Sequence, residues 1–131
     1  MNPIDELVKR LAKHPDLRYT ATATRVEIES PTSEGFAVCL HASGSEYVVS
    51  FDGWHEHFVS GEEALNCVAF AYSGRCRLAI TYRGRVPVKW AMESAHDGQW
   101  TGDSEVGHFF VPFWSRRRVV YRHNPNLLAP E

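Results

Sequence analysis

The chain has 131 residues, of which 44% are hydrophobic and 23% charged, and its 14 Lys and Arg against 16 Asp and Glu give a formal net charge of -2. This length fits one compact domain, and the hydrophobic content is far above that of disordered chains. The near-neutral charge argues against a strongly basic nucleic-acid-binding protein. No apolar run reaches the length of a membrane span and no signal-peptide core is visible, so we expect a cytoplasmic protein without a membrane association.

Residues 1–15 predict a short amphipathic N-terminal helix. Asn2 is a suitable capping residue, and Pro3 fits the first helical position. Apolar residues then recur at helical spacing: Ile4, Leu7, Val8 and Leu11. Pro15 disfavours a helical conformation in the residue before it, so we expect the helix to end near His14.

A second helix is predicted after Ser60. Ser60 and Glu63 have the spacing of a capping box, in which each side chain satisfies a backbone N–H at the start of a helix. Gly74 stands where a left-handed residue commonly terminates a helix. The expected helix runs from Gly61 to Tyr72, and its alanines favour close packing against a sheet.

Most of the remaining chain alternates between apolar and polar residues, which predicts strands with one buried face. The order is one helix, three strands, the first of which runs from Thr20 to Glu29, one helix and about four strands. We therefore expect a single α+β domain over residues 1–131, with a mainly antiparallel sheet of six or seven strands and two helices. The second helix packs on this sheet, the N-terminal helix covers an edge or the second face, and residues 124–131 form a C-terminal tail.

The register of one hairpin follows from its apolar residues. A three-residue loop, Arg83-Gly84-Arg85, places Tyr82 opposite Val86 and continues the apolar pairing along both strands. On the other face the same register sets Arg75 opposite Glu93. A two-residue loop would set every apolar residue against a polar one.

Two histidines, His55 and His57, suggest a candidate metal or acid/base site. Residues at i and i+2 of a strand point to the same side and can share a divalent metal ion. The apolar phase changes near Asp52-Gly53, as a glycine bulge would cause, and this turns both histidines away from the core. The candidate helpers are Asp52, Glu56 and His108, although an unbroken strand sends Glu56 to the opposite face. The alternative is a pair of solvated or structural histidines.

The charges are divided unevenly along the chain. Residues 1–65 hold five Lys and Arg against eleven Asp and Glu, whereas residues 66–131 hold nine against five. Arg75, Arg77 and Lys89 share the outward face of the predicted hairpin, where they would hold a small anion or nucleotide. The other arginines lie at turns that would meet at one end of the sheet: Arg83, Arg85 and Arg116 to Arg118. Alternatively, these charges only neutralise the acidic half or solvate the sheet.

Two further features concern apolar side chains. The segment from Phe109 to Trp114 is apolar at every position, so that strand is expected either to be covered on both faces or to have one face engaged with a partner, such as a second copy of the chain. Trp54 is a candidate ligand contact beside Asp52, although large aromatics on strands more often belong to the core. The three cysteines form no C-x-x-C pair and are expected to be buried: Cys39, Cys67 and Cys76.

The sequence contains no nucleophile elbow, no P-loop and no dinucleotide-binding glycine motif. Because each motif present has a structural explanation, our first hypothesis is a small cytoplasmic binding or accessory protein without catalytic activity. One alternative is a metal-dependent or acid/base enzyme centred on His55 and His57. The other is an anion- or nucleotide-binding protein that uses the basic second half.

Overall fold

A computed structural model describes residues 2–107 and 116–127. This part of the chain forms two helices and nine strands. The helices are α1 (Pro3–Leu11) and α2 (Gly61–Ala71). The strands before α2 are β1 (Tyr19–Ala21), β2 (Arg25–Ile28), β3 (Val38–Ser43), β4 (Glu46–Phe51) and β5 (Trp54–Phe58). The strands after α2 are β6 (Cys76–Arg83), β7 (Val86–His96), β8 (Gln99–Gly107) and β9 (Arg117–Arg122).

The strands form two antiparallel sheets. The first has the order β1-β2-β3-β4-β5, and the second has the order β8-β7-β6-β9. The α+β class with antiparallel strands is confirmed, but the expectation of one sheet with six or seven strands is wrong. Because α2 packs on the first sheet after β5, the chain that follows it begins a new sheet instead of extending the old one. Neither described helix is long and apolar enough to cross a membrane.

Two segments that alternation predicts as single strands are hairpins. The segment from Thr20 to Glu29 divides into β1 and β2, with Tyr19 paired to Ile28. The bulge expected at Asp52-Gly53 is instead a two-residue turn, because Phe51 pairs directly with Trp54. Such a turn brings an odd-numbered and an even-numbered residue to the same face, which accounts for the change of apolar phase.

Both helix starts follow their predicted caps. Asn2 Oδ1 accepts a hydrogen bond from the Ile4 backbone N–H at 2.9 Å, and Ser60 Oγ accepts one from Glu63 N–H at 3.2 Å. The helices pack on the inner face of the first sheet. The deepest residues of this core come from both helices and the sheet: Leu7, Leu11, Val26, Leu40, Val49, Phe51, Trp54 and Val68.

The turn between β4 and β5 joins the two sheets. Trp54 is fully buried, and its indole N–H donates to Ser104 Oγ on β8 at 3.2 Å. A second hydrogen bond has its donor on the second sheet: the Trp90 indole N–H on β7 donates to Asp52 Oδ2 at 3.0 Å. A Cβ atom on Gly53 would lie 2.2 Å from the Trp90 ring, so this close approach requires glycine.

The hairpin of β6 and β7 differs from its predicted register. Its turn has two residues, because Arg83 pairs with Val86. The strand register then shifts between Thr81 and Tyr82, so that Thr81 lies opposite Lys89. The bulge restores the apolar pairing that a two-residue turn alone would lose. As a result, Glu93 faces Arg77 and not Arg75.

Candidate anion-binding site

Arginines gather at one end of the second sheet. The turn between β6 and β7 carries Arg83 and Arg85, and the start of β9 carries Arg117 and Arg118, preceded by Arg116. We call these five residues the arginine cluster. Two strands position it, because β9 pairs with β6 and thereby brings residues far apart in sequence to the same sheet end.

The backbone register fixes the arrangement of the arginine cluster. Arg83 and Arg117 are direct cross-strand partners, and Tyr82 pairs with Arg118. The Gly84 N–H donates to the Arg116 carbonyl at 2.8 Å, which closes the turn against β9. Gly84 has a φ of 62°, a left-handed conformation that glycine adopts without strain. A depression of about 430 Å³ lies here, lined by Gly84 and Arg116 to Arg118.

The positive charge of the arginine cluster is not compensated by neighbouring carboxylates. Within residues 2–107 and 116–127, no carboxylate forms an ion pair with any of the five guanidinium groups. The Arg118 guanidinium lies over the Tyr82 ring, with its Cζ atom 4.9 Å from the ring centroid. Arg85 and Arg116 to Arg118 are exposed. The site therefore presents several guanidinium donors to solvent.

The basic residues predicted on the hairpin face do not converge. Arg77 and Lys89 are four register pairs apart, since Arg77 faces Glu93 and Lys89 faces Thr81, which separates them by about 13 Å along the strands. Lys89 Nζ lies 3.4 Å from Glu105 Oε2, and Arg77 is ion-paired with Glu93. Arg77 was expected to be exposed, but only 19% of its side chain is accessible. Arg75 is exposed and directly precedes β6.

His55 and His57 lie side by side on the outer face of β5, as predicted. Their ring centroids are 6.0 Å apart, and His57 Nδ1 is 3.1 Å from Glu46 Oε2 on β4. Glu56 points to the other face, into a groove with Cys67 and Met92. The described residues contain no group of three or more His, Cys, Asp and Glu side chains placed to hold a metal ion.

Four candidates or sequence features remain to be placed. His108 and the apolar segment from Phe109 to Trp114 lie outside the described residues, so the metal helper and the self-association strand stay predictions. Trp54 is a core residue with no exposed surface, which removes it from any solvent-facing ligand site. Asp52 is exposed at the turn that bonds Trp90.

The sequence analysis did not predict a second group of polar residues that the structure brings together. On the outer face of the first sheet, Cys39 pairs with Ser50 and Glu27, and His41 pairs with Val48 and Arg25. The signal was present, because alternation with the buried Val38 and Leu40 places both residues outward. A depression of about 490 Å³ lies here, and its lining includes Cys39, His41, Ser50, Glu27 and Arg25.

The Cys39 thiol does not have the properties of a nucleophile. Burial raises its pKa above the ordinary value, and Arg25 lowers it by a smaller amount. The thiol is therefore neutral near pH 7, whereas reactive cysteines have lowered pKa values. Burial also strongly raises the pKa of Cys67, and Cys39 and Cys67 are free thiols.

Comparison with known proteins gives no relative from which a role for these sites can be transferred. The sequence matches no protein-family model, no curated protein and no solved structure.

Proposed function

We propose that this protein binds a small phosphate-bearing anion at the arginine cluster. The observation that carries the proposal is the direct cross-strand pairing of Arg83 with Arg117. Like charges placed directly opposite each other destabilise a sheet, by roughly the 0.2–1 kcal/mol that opposite charges contribute to it. An anion bound between the two guanidinium groups converts this repulsion into attraction.

The chemistry of the guanidinium group favours phosphate. Each group presents a planar set of N–H donors that forms two parallel hydrogen bonds to phosphate or carboxylate oxygens. Several such groups around one depression suit a ligand that carries two or more adjacent phosphates. Arginine also stays protonated at neutral pH, so it neither accepts nor supplies a proton during a reaction. The site thus supports binding rather than acid/base catalysis.

The size and charge of the protein favour a small anion over a long one. A depression of about 430 Å³ is in the range of small-molecule sites. Residues 1–65, which form α1 and the first sheet, carry an excess of acidic residues that repels an extended polyanion. The free thiols of Cys39 and Cys67 fit a reducing compartment, so we place this binding function in the cytoplasm.

Calorimetric titration with inorganic tripolyphosphate tests this proposal. We expect wild-type protein to bind with an affinity that falls as NaCl is added, because exposed charge pairs are screened by salt. In the double variant R83Q/R117Q, the affinity should fall about tenfold or more, which corresponds to roughly 1.4 kcal/mol.

The matched control is R75Q/K89Q, which removes the same number of charges from β7 and the segment before β6, away from the arginine cluster. Its affinity should stay within about twofold of wild type, a change of roughly 0.4 kcal/mol. Equal losses in the two double variants, or binding that does not respond to salt, would contradict a site at the arginine cluster.

A further inference from the structure

The outer face of the first sheet contains a depression that the proposed anion site does not use. Its volume is about 490 Å³, and it extends over β2, β3 and the end of β4. Its lining includes Cys39 and His41 from β3, the middle strand of the sheet, and Ser50 from the adjacent β4. The sheet backbone holds all three on one face, so the floor of the depression is formed without a loop rearrangement.

His41 supplies the polar atom that lacks a partner. Its Nδ1 atom is buried and makes no hydrogen bond to the described residues. A buried polar atom without a partner costs about 1–3 kcal/mol, and a ligand that bonds to it recovers this cost. In neutral imidazole one of the two ring nitrogens accepts a hydrogen bond, so a ligand N–H group can donate to His41 once rotation of the ring turns Nδ1 toward the depression.

The charges around the depression are mainly negative. Its lining includes Glu27, Glu29 and Asp52 but a single cation, Arg25. Arg25 Nη2 lies 2.6 Å from Glu27 Oε1, so these two charges largely neutralise each other. Glu29 and Asp52 are both exposed, and neither forms an ion pair within the described residues.

We propose that this depression binds a small organic amine, with an ammonium group placed beside Glu29 or Asp52 and an N–H donor directed at His41. Glu29 and Asp52 form no ion pair within the described residues, so a cation suits them, and a molecule of a few carbon atoms fits the volume. The ligand is opposite in charge to the one expected at the arginine cluster. The two sites lie on different sheets, so either proposal can fail without the other.

Nuclear magnetic resonance titration with 1,4-diaminobutane is the test, and succinate serves as the anion of similar length. We expect saturable shifts of the Cys39, His41 and Ser50 amide signals with the diamine and none there with succinate. H41F removes the ring nitrogens, and E29Q removes a carboxylate. Each should weaken diamine binding about fivefold or more, which is roughly 1 kcal/mol.

E34Q is the matched control, because Glu34 does not line the depression. It removes one carboxylate from the same half of the chain and should leave the diamine affinity unchanged. If E34Q weakens binding as much as E29Q does, the diamine responds only to net charge and the proposal fails. It also fails if the shifts do not saturate or if succinate produces the same shifts. Since E29Q changes an exposed side chain, it tests the site even if H41F does not fold.

Discussion

Arg77 and Glu93 lie directly opposite each other on β6 and β7, with Arg77 Nε 2.6 Å from Glu93 Oε1. The Arg77 guanidinium also stacks against Trp100 at 4.4 Å and against Tyr121 at 4.0 Å. Both charged side chains are about four-fifths buried. Arg77 is therefore part of a structural ion pair between two aromatic rings, and its charge is not available to an incoming anion.

A double-mutant cycle on Arg77 and Glu93 tests this interpretation. R77M and E93Q should each lower the free energy of unfolding by about 2–3 kcal/mol, because each leaves a largely buried charge without its partner. The double variant should lose less than the sum, with a coupling of about 1 kcal/mol or more. Urea denaturation measures all four proteins.

The pair of Lys89 and Glu105 provides the control for this cycle. Its side chains are 40% and 64% exposed, so water screens the interaction. K89M and E105Q should show a coupling below about 0.5 kcal/mol. A coupling at Arg77 and Glu93 no larger than this one would contradict a structural role for the pair.

Gly53 is expected to be essential for the contact between the sheets. Alanine at this position would place its Cβ 2.2 Å from a Trp90 ring atom, and the backbone or the indole must then move. G53A should lower the free energy of unfolding by about 2–4 kcal/mol. G102A is the control, because no atom lies within 4 Å of a Cβ built there. Similar losses in both variants would show that the Trp90 contact is not the cause.

Asn124 should contribute strongly to stability. Its Oδ1 accepts from Phe36 N–H at 2.9 Å, its Nδ2 donates to the Phe36 carbonyl at 3.1 Å, and the residue is 4% exposed. N124A leaves both buried backbone groups unpaired and should cost about 2–3 kcal/mol in thermal or urea unfolding. The exposed Asn126 supplies the control, and N126A should change stability by less than about 0.5 kcal/mol.

Tyr72 predicts a specific dependence of stability on alkaline pH. Its hydroxyl is buried and makes no hydrogen bond to the described residues, and burial raises its pKa well above the ordinary 10.0. The unfolded chain therefore loses this proton at lower pH than the folded one, and stability falls as pH rises above about 10. Y72F should lose less stability above pH 10 than wild type and should unfold at pH 7 at the same or higher urea concentration. A steeper alkaline loss in Y72F would contradict this assignment.

Local patterns predicted both helices and their caps correctly, whereas the turns between strands and pairing over a distance were harder to predict. The caps at Asn2 and Ser60 depend on side chains within three residues, so their sequence signal is complete. The register of β6 and β7 depends on a bulge near Tyr82, which the apolar pattern alone does not distinguish from a longer turn. This difference moved Glu93 from Arg75 to Arg77 and removed the predicted three-residue anion site.

For the candidate sites too, the sequence predicts local features better than the pairing of distant strands. Alternation is enough to place Cys39 and His41 outward on β3, but the depression also needs Arg25 and Ser50 from the neighbouring strands. The arginines at the two turns were expected to meet at one sheet end, and pairing of β6 with β9 brings them together. No local pattern predicts that Arg83 and Arg117 are direct partners, because 33 residues separate them along the chain.

The arginine cluster is tested most directly by mapping where an anion binds. In an amide NMR titration of the wild-type protein with tripolyphosphate, the largest saturable shifts should occur at Gly84, Arg117 and Arg118, with small changes around Arg77 and Lys89. Largest shifts on the Arg77 and Lys89 face, or shifts of equal size across both sheets, would contradict a binding site formed by Arg83 and Arg117.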